Sequence, residues 1–424
     1  MIKRICAIAF IFLCTSLAWI VLGTTIFART DHAGSLLFGR VASTWGAPQQ
    51  QALPDIDYVW EEKQTVTSEE NGHRITREEK RSYSRPVPLD SSRIKASFHI
   101  DYRQKGLLWF STYRVDFEGV HVFRNPTSSD QVFEFRLPLP AKEAMYDNLA
   151  ISIDGKPLAM AIGGTEVTAR ATLPAGAQAT LKTTYRSQGQ QNWRYSLAGN
   201  AKSGAAQDNT RQVSQVNDFH LTMLTDFSSF DFPENSLSPT SKRQTASGWE
   251  LQWDYQNLVS GFDIALKMPE KLQPGPLAGE ISYFAPVSLF FFFFLIFILS
   301  TLRGIDLHPM NYFFLAAAFF AFHLLLAYLA DHVSIHLAFL ASSVVSLALV
   351  VTYLRLVVNL RFAILDAGLA QFVYLVLFSY AFFFEGFTGL AITIGAILTL
   401  FFVMQMTGRI RWSDKFAKTS AVPA

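Results

Sequence analysis

Three side chains that commonly bind metal ions lie within six residues of one another in an otherwise apolar part of the sequence: Asp331, His332 and His336. Imidazole and carboxylate groups are ordinary zinc ligands, and histidines four residues apart share one face of a helix. The spacing would suit a divalent metal, and a metal-dependent hydrolase built on it, if a helix begins by residue 331. Helix ends also require polar caps, and the sequence favours that second interpretation, with no metal bound.

Other polar residues lie in or beside apolar segments, where such groups cost energy and are often kept for a function. His323 falls near the middle of one segment, and we expect it to hydrogen-bond to a facing helix, with a proton relay as the alternative. His308 opens the same segment. Glu385 lies between the last two segments, where a solvated loop acid is the expected role.

Asp366 lies inside an apolar segment but near its charged end, where shallow burial is expected. It lies five residues after Arg361, or about 7.5 Å along a helix. We expect it to pair with Arg361 or Arg355 and so to fix the orientation of a helix. An ion pathway is the alternative.

The sequence lacks the motifs that mark nucleotide binding, serine hydrolysis, zinc peptidases and disulfide exchange. Its formal net charge is +2, and without a dense basic patch a nucleic-acid partner is not expected. The only cysteines, Cys6 and Cys14, lie in the N-terminal apolar segment, so the large polar region has no disulfide or zinc finger. These features predict a protein that is not an enzyme and that binds no cofactor.

Six apolar segments are long enough to cross a hydrocarbon core about 30 Å thick. The first, 5–22 extended by 23–28, follows Lys3 and Arg4 and is longer than the apolar part of a signal peptide, which predicts an uncleaved anchor. The others are 284–302, 312–330, 335–354, 362–384 and 387–407. Pro286 is expected in the first turn of its segment, where a missing N–H costs little. Trp19 and Tyr312 are expected at the membrane interfaces.

The charges between these segments predict their orientation, because lysine and arginine concentrate on the cytoplasmic side. With the N-terminus inside, nine basic residues lie inside: Lys3, Arg4, Arg303, Arg355, Arg361, Arg409, Arg411, Lys415 and Lys418. The two short outer loops contain no lysine or arginine. Both termini are therefore predicted to be cytoplasmic, and residues 29–283 periplasmic.

The region 29–283 has the pattern of a β-rich domain. Two charged strands flank Asn71-Gly72, which predicts an exposed hairpin over 58–87. Beyond it apolar residues alternate, as in Ile94, Ala96 and Phe98, and turn residues recur, which indicates an antiparallel β-sandwich. Residues 200–210 are expected to form a mobile loop, and 269–276 a linker to the membrane.

The predicted fold is therefore an α+β membrane protein with four parts. Residues 1–28 form a transmembrane anchor, 29–283 the exported β domain, 284–407 a five-helix transmembrane bundle and 408–424 a cytoplasmic tail.

This layout and several local strings resemble the CreD family of bacterial inner-membrane proteins. The strings are Ser43-Thr44-Trp45-Gly46-Ala47-Pro48-Gln49, Arg103-Gln104-Lys105-Gly106, Tyr113-Arg114, His308-Pro309-Met310-Asn311-Tyr312, Asp331-His332 and Arg409-Ile410-Arg411-Trp412. The resemblance implies an envelope-associated role, because the family is linked to a two-component regulatory system, to colicin tolerance and to cell-envelope integrity under stress. It carries over no catalytic residue.

Two functions from different classes follow. The first is a non-enzymatic inner-membrane protein whose exported β domain supports the envelope or its stress response, with the lipid bilayer and an envelope or periplasmic protein as partners. The second is a transporter or lipid-handling protein that uses a polar path through the bundle.

Overall fold

The computed structural model describes residues 2–70, 73–105, 108–142, 144–197, 214–384 and 386–408. Six helices in this part of the chain are long and apolar enough to cross a membrane. They are α1 (Ile2–Trp45), α2 (Pro274–Leu302), α3 (Pro309–Leu329), α4 (Ile335–Val357), α5 (Phe362–Phe383) and α6 (Thr388–Thr407). The α+β membrane fold and its six apolar segments are confirmed.

The described residues divide into two compact units. We call the first the bundle, which contains those of 1–36 and 272–424 together with Leu108. We call the second the central domain, which contains those of 37–105 and 109–271.

Helix α2 begins earlier than predicted. Pro274 occupies a first-turn position, so residues 274–276 are helical rather than linker, and Pro286 lies inside the helix. Proline is well suited to the first turn because its missing N–H has no partner there anyway. Two glycines four residues apart explain the extension, since a Cβ at Gly275 or Gly279 would come within 2.6 or 3.1 Å of side-chain atoms of Thr30 or Phe27 on α1. Small residues at this spacing let two helices approach closely.

Two aromatic residues expected at the membrane interface are instead in the core of the bundle. Trp19 and Tyr312 are both fully buried. The Trp19 ring packs edge-on against Phe320, and Tyr312 packs edge-on against Phe293. Hydropathy along one segment does not reveal which face another helix covers, so these two expectations were wrong.

Sixteen strands form three sheets in the central domain. The strands are β1 (Gln49–Ala52), β2 (Asp55–Glu70), β3 (His73–Pro86), β4 (Ser91–Lys105), β5 (Leu108–Arg124), β6 (Gln131–Pro138), β7 (Tyr146–Ile153), β8 (Lys156–Pro157), β9 (Met160–Gly163), β10 (Glu166–Leu173), β11 (Gln178–Gln190), β12 (Asn192–Ser196), β13 (Ser214–Thr225), β14 (Ser241–Gln244), β15 (Trp249–Ser260) and β16 (Ile264–Lys267). The sheet orders are β1-β12-β16, β3-β2-β6-β10-β9 and β14-β15-β13-β4-β5-β11-β7-β8.

Most neighbouring strands are antiparallel, as predicted, but β4 pairs parallel with β13 and β1 parallel with β12. Parallel neighbours need a long connection between them, and in both cases more than a hundred residues intervene along the chain. Strands β2 and β3 pair antiparallel from Asp57 with Pro86 to Glu70 with His73. The Asn71-Gly72 turn predicted between them, and the loop predicted over 200–210, lie outside the described residues.

Two apolar clusters lie side by side on one face of the eight-stranded sheet, and each packs against one of the two smaller sheets, which makes the domain a sandwich. One cluster joins it to the five-stranded sheet through residues such as Phe123 and Phe135, and the other joins it to the three-stranded sheet through residues such as Phe98 and Trp193. The alternation predicted for β4 is confirmed, since Ile94, Ala96 and Phe98 are buried while their neighbours are more exposed. Period-two burial of this kind is what fixes the register of a strand.

Candidate functional site

Ion pairs join helix α1 to the rest of the bundle at two points along its length. Arg4 Nη1 lies 2.7 Å from Asp306 in the turn after α2, and Arg29 Nη2 lies 3.2 Å from Asp331 in the turn after α3. The two arginines are 25 positions apart on one helix, which corresponds to about 38 Å. Because a hydrocarbon core is about 30 Å thick, the pairs bracket a membrane-spanning length.

A third ion pair joins α2 to α5. Arg303 Nη2 lies 2.6 Å from Oδ1 of Asp366, whose side chain is only 9% exposed. In the part of the chain that the structure describes, neither Arg361 nor Arg355 pairs with Asp366, so the partner predicted from sequence was wrong. Arg303 lies 63 residues earlier, and helix packing rather than sequence proximity brings it into reach. The second oxygen of Asp366 is buried and has no hydrogen-bond partner among the residues that the structure describes.

His323 is fully buried in the middle of α3. Its Nδ1 donates to the carbonyl oxygen of Phe319 in the same helix at 3.0 Å, rather than to a facing helix as expected. The ring stands edge-on to Trp19 of α1, with centroids 5.8 Å apart. Nε2 of His323 and Nε1 of Trp19 have no hydrogen-bond partner among the described residues.

A second set of buried polar side chains joins three helices. These side chains were not among the candidates predicted from the sequence. Ser346 of α4 donates to the Ala318 carbonyl of α3 at 2.6 Å and accepts from Gln371 Nε2 of α5 at 2.7 Å. Gln371 lies in the single α-helical turn of α5 between two π-helical stretches, Phe362–Gly368 and Phe372–Leu377. Such wide turns are rare and are frequent at functional sites. In the sequence, the sign of this contact is that Gln371 is a polar residue inside an apolar segment.

The remaining candidates lie at the ends of helices. Helix α4 begins only at Ile335, with Ser334 as its cap, so His332 precedes the helix and does not share a helical face with His336. His336 packs against the ring of Phe383 with centroids 5.3 Å apart. No three His, Cys, Asp or Glu side chains within the described ranges form a group that could hold a metal.

Two further candidates complete the set predicted from sequence. His308 caps α3, and its side chain accepts from the backbone N–H of Met310 at 3.3 Å. Glu385 lies outside the described residues.

The central domain contains an open polar cleft with a volume of about 300 Å³. We call it the Trp45 cleft, and the residues on its wall that matter most are Trp45, His99, Arg103, Tyr113, Arg114 and Asp226. Four of them belong to the short strings singled out in the sequence between residues 43 and 114. The sequence did not predict that these strings meet, because their convergence depends on the pairing of β4 with β5 and on the end of α1.

Close backbone packing forms the base of the Trp45 cleft. Gly46 ends α1 with φ +108°, and a Cβ there would lie 2.1 Å from the carbonyl oxygen of Gln188 on β11. Tyr113 is buried behind the cleft and donates to the carbonyl oxygen of Asn192 at 2.8 Å. Burial raises the pKa of the Tyr113 hydroxyl well above its ordinary value of 10.0, so it is a neutral donor at physiological pH.

The part of the chain that matches a known protein family lies in the bundle. Residues 280–413 match the family model described as inner membrane protein CreD. These residues belong to the CreD family. The resemblance predicted from sequence is confirmed over this range, and the chain is a multi-pass membrane protein with a CreD-type bundle. The strings between residues 43 and 114 lie outside the matched range, and their resemblance stays a prediction.

No curated protein matches the chain. Solved structures match only distantly. A crystal structure of a protein from Legionella pneumophila described as nutrient-binding has a TM-score of 0.32 and 13% identity, over 58% of this chain and 76% of that one. An M1 zinc metallopeptidase from Deinococcus radiodurans has a TM-score of 0.25 and 11% identity, over 43% of each chain. This chain thus spans less than half of that enzyme's length. TM-scores this low bear on neither fold nor function.

Proposed function

We propose that this chain is a non-enzymatic inner-membrane protein of the CreD type that supports cell-envelope integrity through an exported central domain. The observation that carries the proposal is the distribution of polar groups between the two units. In the bundle, Arg4, Arg29 and Arg303 each pair with an acid of another element. In the central domain, the Trp45 cleft is open and lined by charged side chains. The bundle thus resembles an anchor, and the central domain a recognition unit.

The charges near the bundle support the predicted orientation. The Arg4–Asp306 pair brings the N-terminus beside the α2–α3 turn, which also contains Arg303. Positive residues mark the cytoplasmic side, so that end of the bundle is the inner one. The opposite end carries the α3–α4 turn with Asp331 and His332.

A transporter or lipid-handling protein is the second candidate. Two observations favour it: Pro286 lies inside α2, and the π-helical stretches of α5 flank Gln371, whose Oε1 has no partner within the described chain. Helices interrupted near the membrane midplane often line substrate paths in transporters. In that case the bundle, and His323 and Asp366 within it, would carry the activity.

A complementation experiment separates the two candidates. We expect a deletion strain to become sensitive to β-lactams, detergent and colicin, and the full-length chain to restore tolerance. A chain in which a Gly-Ser linker replaces residues 47–271 should reach the membrane, as an immunoblot of the membrane fraction would verify, but should not restore tolerance. The double variant His323→Ala, Asp366→Asn should restore it.

Restoration by the shortened chain would contradict the proposal, because the bundle would then suffice. Failure of the double variant at normal membrane levels would favour the polar path instead. The shortened chain and the double variant are measured in the same deletion strain, so that their tolerance is compared under the same assay conditions.

A further inference from the structure

The acidic side chains of the Trp45 cleft already have partners. Asp226 accepts from the backbone N–H of Ile100 at 3.0 Å and lies 3.3 Å from Nδ1 of His99. Asp101 is hydrogen-bonded to the guanidinium of Arg103. Their charges are partly balanced, so these carboxylates are weak attractors for a free cation.

One basic side chain has hydrogen-bonding capacity to spare. Arg114 lines the cleft and is exposed, and its guanidinium forms no ion pair or hydrogen bond with any residue that the structure describes. The guanidinium of Arg103 is hydrogen-bonded to Asp101 and lies over the ring of Trp45, 3.6 Å from its centroid. Stacking on an aromatic ring fixes the plane of a guanidinium and prepares it for a planar acceptor.

These features specify the chemistry of a ligand. A guanidinium fork matches the two oxygens of a carboxylate. Asp101 and Asp226 in the same cleft disfavour a doubly charged anion such as a phosphate monoester, because like charges repel at short range. The same two acids, with the His99 ring, can accept amide N–H groups. A volume of about 300 Å³ is at the small end for ligand sites, which suits a terminal group rather than a whole polymer.

We propose that the Trp45 cleft binds the free C-terminal carboxylate of a short peptide, with Arg114 as its main charged contact. This inference deepens the proposed function, on which it rests for placing the cleft outside the cytoplasm. There two sources offer the same chemistry: cell-wall peptides, which end in D-residues, and fragments of secreted proteins, which end in L-residues.

The test is a binding titration of the purified full-length chain in lipid nanodiscs with D-alanyl-D-alanine, L-alanyl-L-alanine and their C-terminal amides. We expect at least one acid to bind and its amide to bind about tenfold or more weakly, as losing a charge-assisted hydrogen bond predicts. Arg114→Gln should weaken binding of the acid by a similar factor. Arg124→Gln should leave it unchanged, because Arg124 lies at the other end of β5, where its Nη2 is 3.5 Å from Oε1 of Gln178.

Equal binding of acid and amide, equal effects of the two arginine variants, or no binding of either acid would each overturn the inference. The stereoisomer that binds more tightly assigns the source. Absence of binding would leave the complementation results untouched, whereas complementation by the shortened chain would overturn the proposed function without changing the titration.

Discussion

Replacing Arg303 with alanine should destabilise the bundle by about 3 kcal/mol, the lower end of the cost of removing one partner from a buried ion pair. Asp366 is 9% exposed and would be left as an unpaired carboxylate, while Arg303 itself is 46% exposed, which is why the lower end applies. Asp366→Asn keeps the shape and removes the charge, so its cost should be about 1 kcal/mol. Denaturant unfolding of the full chain in mild detergent measures both.

Arg361→Ala is the matched control for this prediction. Arg361 was the partner predicted from sequence, yet it is exposed and forms no ion pair among the described residues. Its replacement should change the free energy of unfolding by no more than about 0.5 kcal/mol. If Arg361→Ala cost as much as Arg303→Ala, the pairing of Arg303 with Asp366 would be contradicted.

Gly46→Ala should destabilise the central domain by about 3 kcal/mol or more. The residue has φ +108°, which costs an L-residue about 1 kcal/mol, and its new Cβ would lie 2.1 Å from the Gln188 carbonyl oxygen and 2.9 Å from the carbonyl carbon. Backbone of a central strand cannot yield as a flexible side chain can, and overpacking typically adds 1 to 3 kcal/mol, roughly. Because Trp45 and Gln188 both line the cleft, peptide binding should be lost as well.

Two other glycines separate the causes of that effect. Gly155 has φ +77° but no atom of the described residues within 4 Å of a new Cβ, so Gly155→Ala should cost only the backbone strain, about 1 kcal/mol. Gly163 has no positive φ and, in the described part of the chain, no close neighbour, so Gly163→Ala should be nearly neutral. The resistance of each full-length variant to an added protease ranks the three variants by stability. A cost for Gly46→Ala no greater than that for Gly155→Ala would mean that the contact with Gln188 is unimportant.

Local pattern was enough to predict the membrane segments and the sandwich. Long apolar runs must cross a membrane or be buried, and the alternation of Ile94, Ala96 and Phe98 leaves only one face for the core. Pro274 and Pro286 show the limit of local rules. The sequence around Pro274 has the composition of a linker, but contacts of Gly275 and Gly279 with α1 extend the helix, and this places Pro286 inside it.

Contacts between distant residues were beyond prediction from sequence. A hydrophobic segment gives no sign of which face meets another helix, because lipid and protein are equally apolar. This is why Trp19 was expected at an interface and Asp366 beside Arg361. In the central domain Trp45, Arg103 and Arg114 drew attention as parts of separate strings. Only the fold brings them to one cleft.

Orientation in the membrane is the claim on which the proposed function and the peptide site both depend. It can be tested by labelling single cysteines, with Cys6 and Cys14 first replaced by alanine. Ala161→Cys on the exposed strand β9 reports on the central domain, and Met310→Cys, 48% exposed at the start of α3, reports on the opposite side. A small charged maleimide that crosses the outer membrane but not the inner one should label Cys at 161 in intact cells and Cys at 310 only after lysis. Labelling at 310 and protection at 161 in intact cells would contradict the account.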